Sequence, residues 1–261
     1  MQVRAKKSLG QHFLTDQSIA RGIVDSLTAG GVRDTLEIGP GMGVLTQYLL
    51  EREDIDPRMI EIDSESVDYL LTRFPGIEGK LMEGDYLRLN MRKIFPGPYR
   101  VIGNFPYNIS SQIFFKILED KDLVPEVVCM VQKEVAERLA EKPGSKTYGI
   151  LSVLLQAWYD IEYLFTVGSG AFAPPPKVQS AVIRLKRNSR TELGCDPGRF
   201  KQVVKTAFNQ RRKTLRNALK PIINECLAAG IAPDLSDPVF DLRAERLGVE
   251  DFARLTLKLQ L

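Results

Sequence analysis

Val101-Ile102-Gly103-Asn104-Phe105-Pro106-Tyr107-Asn108-Ile109 is the stretch on which the fold turns. An apolar strand from Tyr99 to Ile102 runs into a Gly-Asn turn and an aromatic-Pro-aromatic corner, and Asn108 then stands as N-cap before an amphipathic run. Such a corner sets an amide and a ring at the carboxyl end of a strand, where open α/β sheets bind ligands. The chemistry it suits is methyl transfer to the exocyclic amine of a base, a nitrogen whose lone pair is shared with its ring. The side-chain oxygen of Asn104 and the backbone carbonyl of Phe105 can accept the two N–H groups and localise that lone pair. Pro106 stiffens the corner, and Tyr107 can stack on the ring, a contact worth roughly 1–3 kcal/mol per base. The four residues from Asn104 to Tyr107 equally suit a structural strand-to-helix turn. The residues upstream favour the chemical reading.

Thr35-Leu36-Glu37-Ile38 reads as a buried strand and Gly39-Pro40-Gly41-Met42-Gly43 as the turn into a helix over 44–51. Alternate glycines let the backbone pass close to a ligand. Three residues after Gly41 stands Val44, so the dinucleotide fingerprint is missing, which argues against a nicotinamide enzyme. The second strand, Arg58 to Asp63, carries Glu61, 22 residues after Gly39, where a carboxylate can accept both hydroxyls of a ribose. Glu61 can also cap the next helix, although Asp63 and Ser64 are better placed. A third segment, Gly79 to Asp85, ends in a carboxylate suited to the amino group of an adenine. Gly turn, Glu61, Asp85 and Asn104 fall in order along one sheet edge.

Around this edge the chain alternates strands and helices. A basic arm precedes a helix over 16–27 with Thr15 as cap, and Gln11-His12-Phe13-Leu14 joins the two. His12, the only histidine, is either an idle surface residue or part of a fixed loop over a ligand. Strands follow at 127–131 and 162–167, helices at 132–141 and 149–157. Ala171-Phe172-Ala173-Pro174-Pro175-Pro176-Lys177-Val178 is a stiff loop in which the prolines stop sheet pairing. Phe172 is either a second face of a base sandwich with Tyr107 or a buried loop anchor. The last strand spans 180–186.

From Asn188 onward Lys and Arg number 13 against 9 acids, whereas before it the counts are 23 and 24, so the basic excess is C-terminal. Between Arg199 and Lys220 lie eight basic residues and no acid. On one continuous helix Lys201, Lys205, Arg212, Arg216 and Lys220 fall within an arc of about 100°, and Arg211 and Lys213 add to the charge, whereas a break at Asn209-Gln210 into two helices would loosen the stripe. A solvated face is the ordinary explanation, and a phosphate-binding surface the one favoured by the absence of acids. Composition, at 44% hydrophobic and 26% charged, is that of a globular chain rather than a disordered one. No apolar run is long enough to span a bilayer, and the basic start lacks the apolar core of a signal peptide. Cys129, Cys195 and Cys226 have no metal-ligand spacing and the chain has one His, which argues against a zinc deaminase, leaves no metal expected and points to reduced thiols in the cytoplasm.

Five blocks together resemble the KsgA-type rRNA adenine N6,N6-dimethyltransferase family. They are Lys7-Ser8-Leu9-Gly10-Gln11-His12-Phe13-Leu14, Glu37-Ile38-Gly39-Pro40-Gly41, Asn104-Phe105-Pro106-Tyr107, Ala171 to Val178, and Ala207-Phe208-Asn209-Gln210-Arg211-Arg212-Lys213-Thr214-Leu215-Arg216-Asn217. The resemblance implies an α/β fold with a Rossmann-like doubly wound sheet of seven strands, the last antiparallel, in a methyltransferase domain over 1–187. A small all-α RNA-binding domain would follow over 188–261. It implies S-adenosyl-L-methionine as methyl donor and S-adenosylhomocysteine as product. Gln11, His12 and Leu14 would lie in a loop covering the cofactor, Gly39 and Gly41 against its methionine part, Glu61 at the ribose and Asp85 at the adenine. Asn104 would bridge cofactor and target. The substrate would be two adjacent adenosines in a hairpin loop near the 3′ end of 16S rRNA, free or within an assembling small subunit, with a role in its biogenesis. Two other functions are weighed: methylation of a large-subunit rRNA adenine, as in antibiotic resistance, and a mainly non-catalytic assembly factor. Nothing demands an oligomer, so a monomer is expected.

Overall fold

A computed structural model describes residues 6, 9–28 and 30–260, so Lys7 and Ser8 of the first block lie outside the described residues. The chain clusters into two compact units, residues 1–136 with 160–187 and residues 137–159 with 188–261. A division at 187/188 differs from this in one respect, because 137–159 group with the C-terminal helices. The Tyr148 ring stands 6.3 Å from that of Phe208, which is 5.9 Å from Phe252, so an aromatic cluster draws this segment to the later helices.

The first unit holds a two-stranded pair, β1 (Phe13–Leu14) with β8 (Phe172–Ala173), and a seven-stranded sheet. The sheet comprises β2 (Asp34–Ile38), β3 (Asp56–Glu61), β4 (Leu81–Glu83), β5 (Arg100–Asn104), β6 (Glu126–Gln132), β7 (Tyr159–Val167) and β9 (Ser180–Arg187). Its order is β4-β3-β2-β5-β6-β9-β7. Strands β4, β3, β2, β5 and β6 pair in parallel, and β9 runs antiparallel to β6 with Ser180 opposite Gln132. Because β2, β5 and β6 are central, their side chains are buried along nearly the whole run, as in Val127 to Val131. The order reverses beside β2, and the cleft at the carboxyl ends of β2 and β5 is where such sheets bind ligands.

Helices α1 (Gln17–Asp25), α2 (Thr46–Glu51), α3 (Ser64–Arg73), α4 (Met91–Ile94), α5 (Ser110–Glu119) and α6 (Lys133–Ala140) connect the strands. Helix α1 buries Ala20, Ile23 and Val24, spaced at three and four residues, in the core with Leu45, Ile102 and Val128. Its cap is Asp16 rather than Thr15: Asp16 Oδ1 accepts from the amides of Ser18 and Ile19, whereas Thr15 Oγ1 donates to the Ala171 carbonyl. Asn108 likewise does not cap α5, which starts at Ser110 after a turn closed by the Ile109 amide and the Pro106 carbonyl. The second strand begins at Asp56, two residues before its expected start, since Asp56 and Pro57 already stand opposite Asp34 and Thr35.

The second unit is built on α7 (Ile150–Gln156), α8 (Pro197–Asn209), α9 (Leu215–Ala218), α10 (Lys220–Ala228) and α11 (Val249–Lys258). Arg199 is buried at its centre, donating to the Leu259 carbonyl at 2.9 Å and to Glu225 Oε2 at 2.7 Å. Among the described residues no helix is long and apolar enough to cross a membrane.

Gly103 positions the site by what it lacks. A Cβ there would stand 2.6 Å from the Ile38 carbonyl oxygen and 3.1 Å from the Phe105 ring, so β5 approaches the end of β2 only without a side chain. Gly103→Ala is expected to cost about 1–3 kcal/mol of stability, lowering Tm in a thermal melt by several degrees. An unchanged Tm would show that the two strand ends can part freely.

Candidate active site

The floor of the site is the turn after β2. Gly39, Gly41 and Gly43 adopt φ of +66°, +56° and +75°, a left-handed backbone that favours glycine. A Cβ at Gly39 would meet nothing within 4 Å, so this backbone faces open space, whereas one at Gly41 would meet the Phe13 ring at 3.0 Å. The Gly41 amide donates to Glu61 Oε2 at 2.9 Å, and Glu61 Oε1 accepts from the amides of Ile62 and Asp63 at 2.9 and 3.0 Å. Three backbone donors thus fix a carboxylate that is only 3% exposed, and burial still pushes its pKa up.

Beside it lies Glu37, a site residue that motif reading passed over as part of a strand. Burial pushes its carboxyl up to about 8, with the Thr46 hydroxyl, which donates at 2.7 Å, pulling down and the charge of Glu61 adding to the rise. The available signal was an acid inside an apolar strand directly before a glycine turn. Asp85 accepts from the Leu87 amide at 3.0 Å and lies 3.3 Å from Arg88 Nε. Ile62, an apolar side chain 51% exposed, also lines the cavity.

The cavity has a volume of about 250 Å³ and joins these groups to Asn104, Phe105, Pro106, Tyr107 and the segment from Leu9 to Leu14. Asn104 Nδ2 donates to the His12 carbonyl at 3.0 Å. The reverse orientation would set two oxygens against each other, so Oδ1 is the amide atom left for a ligand. The Phe105 ring is fully buried and edge-on to Phe114 at 5.8 Å, so only its backbone can serve the site. The Tyr107 ring stacks on that of His12, centroids 5.4 Å apart at 29°, and its hydroxyl bonds to Ser180 Oγ. Burial raises the Tyr107 hydroxyl above its usual pKa, the Ser180 bond opposing.

His12 Nδ1 donates to the Pro174 carbonyl at 2.9 Å, so His12 is a tethered lining residue of the cavity rather than an idle surface group. Gln11 Oε1 accepts from the Lys6 amide at 2.9 Å, and Lys6 Nζ reaches Asp63 at 2.5 Å and Glu65 at 3.1 Å. Leu14 is buried, opposite Phe172 in the β1–β8 pair. Phe172, 4% exposed, packs in the core with Leu14 and Ile23 and does not line the cavity. It is the loop anchor, and the ring facing Tyr107 is that of His12.

The single basic stripe is not present, because α8 ends at Asn209 and the chain turns before α9. Lys201 and Lys205 lie on α8, Arg211, Arg212 and Lys213 between α8 and α9, Arg216 on α9 and Lys220 at the start of α10. Lys201, Lys205, Arg212, Lys213 and Lys220 are exposed. Arg211 donates to the Ser145 carbonyl and Arg216 pairs with Asp241 at 2.8 Å, so both are partly committed within the fold. Arg199, counted in the basic run, is structural.

A doubly wound sheet whose last strand is antiparallel, with its cleft at a glycine turn followed by an acid ending the next strand, defines the methyltransferase fold. Residues 2–232 match the family described as "Ribosomal RNA adenine dimethylase", and the chain belongs to that family. It is 59% identical over 256 residues to "Ribosomal RNA small subunit methyltransferase A" of Parabacteroides distasonis, covering 98% of this chain and 94% of that one. The protein of the same name from Cytophaga hutchinsonii is 57% identical, covering 97% and 96%. Among solved structures, a dimethyladenosine transferase from Plasmodium falciparum superposes with a TM-score of 0.75 at 26% identity over 95% of this chain and 96% of that one. The 23S rRNA methyltransferase ErmE shares the fold, with a TM-score of 0.64 at 24% identity over 95% and 99%.

Glu37 makes stability depend on pH. Its folded pKa, about 8, lies above the ordinary 4.5, so its contribution is fully present below 4.5 and is lost as pH rises through about 8. Thermal melts are expected to show Glu37→Gln gaining stability relative to the parent chain between pH 5 and about 9. A pH-independent difference would mean that Glu37 is not buried as a proton-holding acid.

Proposed function

We propose that this chain dimethylates N6 of two adjacent adenosines in the 3′-terminal hairpin loop of 16S (small-subunit) rRNA, with S-adenosyl-L-methionine as donor. The observation that carries the reading is the Asn104 amide, whose Nδ2 is occupied by the His12 carbonyl while Oδ1 is left for the cavity. Its high-identity relatives, named as small-subunit rRNA methyltransferases, favour that substrate over large-subunit rRNA. The ErmE likeness supports the fold alone.

The residues present suit the donor. Gly39 offers open backbone, and neither Glu37 nor Glu61 has a cationic ion-pair partner among the described residues, which suits a ligand carrying positive charge. Glu61 and Asp85 are the candidates for its ribose and adenine, and Ile62 offers the adenine an apolar face. The donor supplies a methyl group on a cationic sulfur that departs neutral, so no strong base is required beforehand. Asn104 Oδ1 and the Phe105 carbonyl accept the two N–H groups of the target amine and direct its lone pair, while Tyr107 stacks on the base. Each transfer forms one N–C bond, and one N–H proton leaves to water. The base must leave its own stack to enter, at least cost from a hairpin loop. Lys201, Lys205, Arg212, Lys213 and Lys220 supply exposed charge for phosphates. The free thiols of Cys129, Cys195 and Cys226 suit a reducing cytoplasm.

The test uses ribosomal subunits from cells lacking the enzyme, each incubated separately with the protein and labelled S-adenosylmethionine. Dimethyladenosine confined to small-subunit rRNA is the expected product. Label in the large subunit would assign a resistance-type reaction, and small-subunit binding without label an assembly factor. Asn104→Ala is expected to lower kcat by about tenfold or more with little change in cofactor affinity, and near-normal turnover would remove Asn104 from the chemistry. Arg212→Ala and Lys213→Ala together should make the slope of log affinity against log salt shallower by about 1.4, at about 0.7 per lost single-strand phosphate contact. An unchanged slope would leave those two side chains off the RNA.

A further inference from the structure

Tyr107 lies on the turn between β5 and α5, outside the strand ladder, yet its ring is held at two points. The His12 ring covers one face at 5.4 Å, and the hydroxyl bonds to Ser180 Oγ. Ser180 is fully buried and opens β9, where it stands opposite Gln132 in the antiparallel ladder with β6. Its Oγ is therefore a stationary anchor, brought to Tyr107 across 73 residues of sequence. The β1–β8 pairing ends at Ala173, before the prolines, and the chain then enters β9 at Ser180.

We propose that Ser180 is a positioning residue of the methyl-transfer reaction, fixing the direction of the Tyr107 ring's long axis through its hydroxyl while the His12 stack sets the ring plane, and so fixing where the target amine lies. This rests on the function proposed above. A base stacked on Tyr107 takes its place from that ring, and its amine meets Asn104 Oδ1 and the Phe105 carbonyl only in a narrow range of ring positions. The demand is greater in the second transfer. A monomethylated amine retains a single N–H, so one of the two acceptor contacts is gone and the stack must hold more of the alignment. Loss of the Ser180 tether should therefore slow the second methylation more than the first.

The experiment compares Ser180→Ala, Tyr107→Phe and the double variant with the parent chain on small-subunit rRNA, following monomethyl- and dimethyladenosine over time. Each single variant is expected to lower kcat about five- to tenfold, with KM and S-adenosylhomocysteine affinity nearly unchanged, and to accumulate monomethyladenosine. The double variant should be no worse than either single one, since both remove the same bond. Ser180→Thr, which keeps the hydroxyl, should restore the product ratio. Tyr107→Phe leaves Ser180 and its strand intact, so it reports even if Ser180→Ala destabilises the sheet. Additive defects, a parent-like product ratio, or a loss confined to thermal stability would overturn the positioning role while leaving the reaction in place. A parent chain that transfers no methyl to small-subunit rRNA would overturn the proposed function itself, and the role of Ser180 with it.

Discussion

Asn104 donates its amide N–H to the His12 carbonyl, and the polarity of the cavity follows from that bond. A carbonyl can only accept, so the amide is turned with its nitrogen toward the N-terminal segment and its oxygen toward the space beyond. The same bond couples two parts of the chain that are 92 residues apart: the end of the fourth strand of the sheet in sequence, and the N-terminal segment that lines the cavity. Other contacts hold that segment in register. The β1–β8 pair fixes Phe13 and Leu14, the Pro174 carbonyl takes the His12 ring, and Lys6 reaches the acids after β3. The proposed acceptor for a base amine is thus oriented by the N-terminal segment that lines the same cavity.

The electrostatics point the same way. Two carboxyls are buried on adjacent strands, Glu61 held by three amides and Glu37 by Thr46. Burying acids without cations is costly, and here the cost appears as raised pKa values rather than as ion pairs. A cationic ligand would relieve it. The adjoining glycine backbone, with open space where a side chain would be, allows such a ligand to approach.

What was legible in the sequence was local. Strand, glycine turn, acid and Asn-Phe-Pro-Tyr corner each declare themselves within about ten residues, because their chemistry is fixed by backbone conformation and by position at a strand end. The features that differ are set by distant partners. Phe172 is sealed into the core by its pairing with the Leu14 segment, and no short-range pattern separates a buried anchor from an exposed ring. The basic stripe needs one continuous helix, whereas the chain turns after Asn209, the break that Asn209-Gln210 allows, and nothing near Arg199 in sequence reveals that it pairs with Glu225. Glu37 was visible but unread, since an acid in an apolar strand becomes informative only once its burial is known. The bond from Tyr107 to Ser180 has no local signature at all.

In the proposed reaction the Asn104 oxygen and the Phe105 carbonyl together receive the amine of a base stacked on Tyr107. A crystal structure of the protein with S-adenosylhomocysteine and an RNA hairpin carrying the two adenosines tests it most directly. One adenine should be unstacked from the RNA and lie on the Tyr107 ring, its N6 within hydrogen-bond distance of both acceptors. An amide turned with its nitrogen toward the base, or a base seated away from Tyr107, would contradict it.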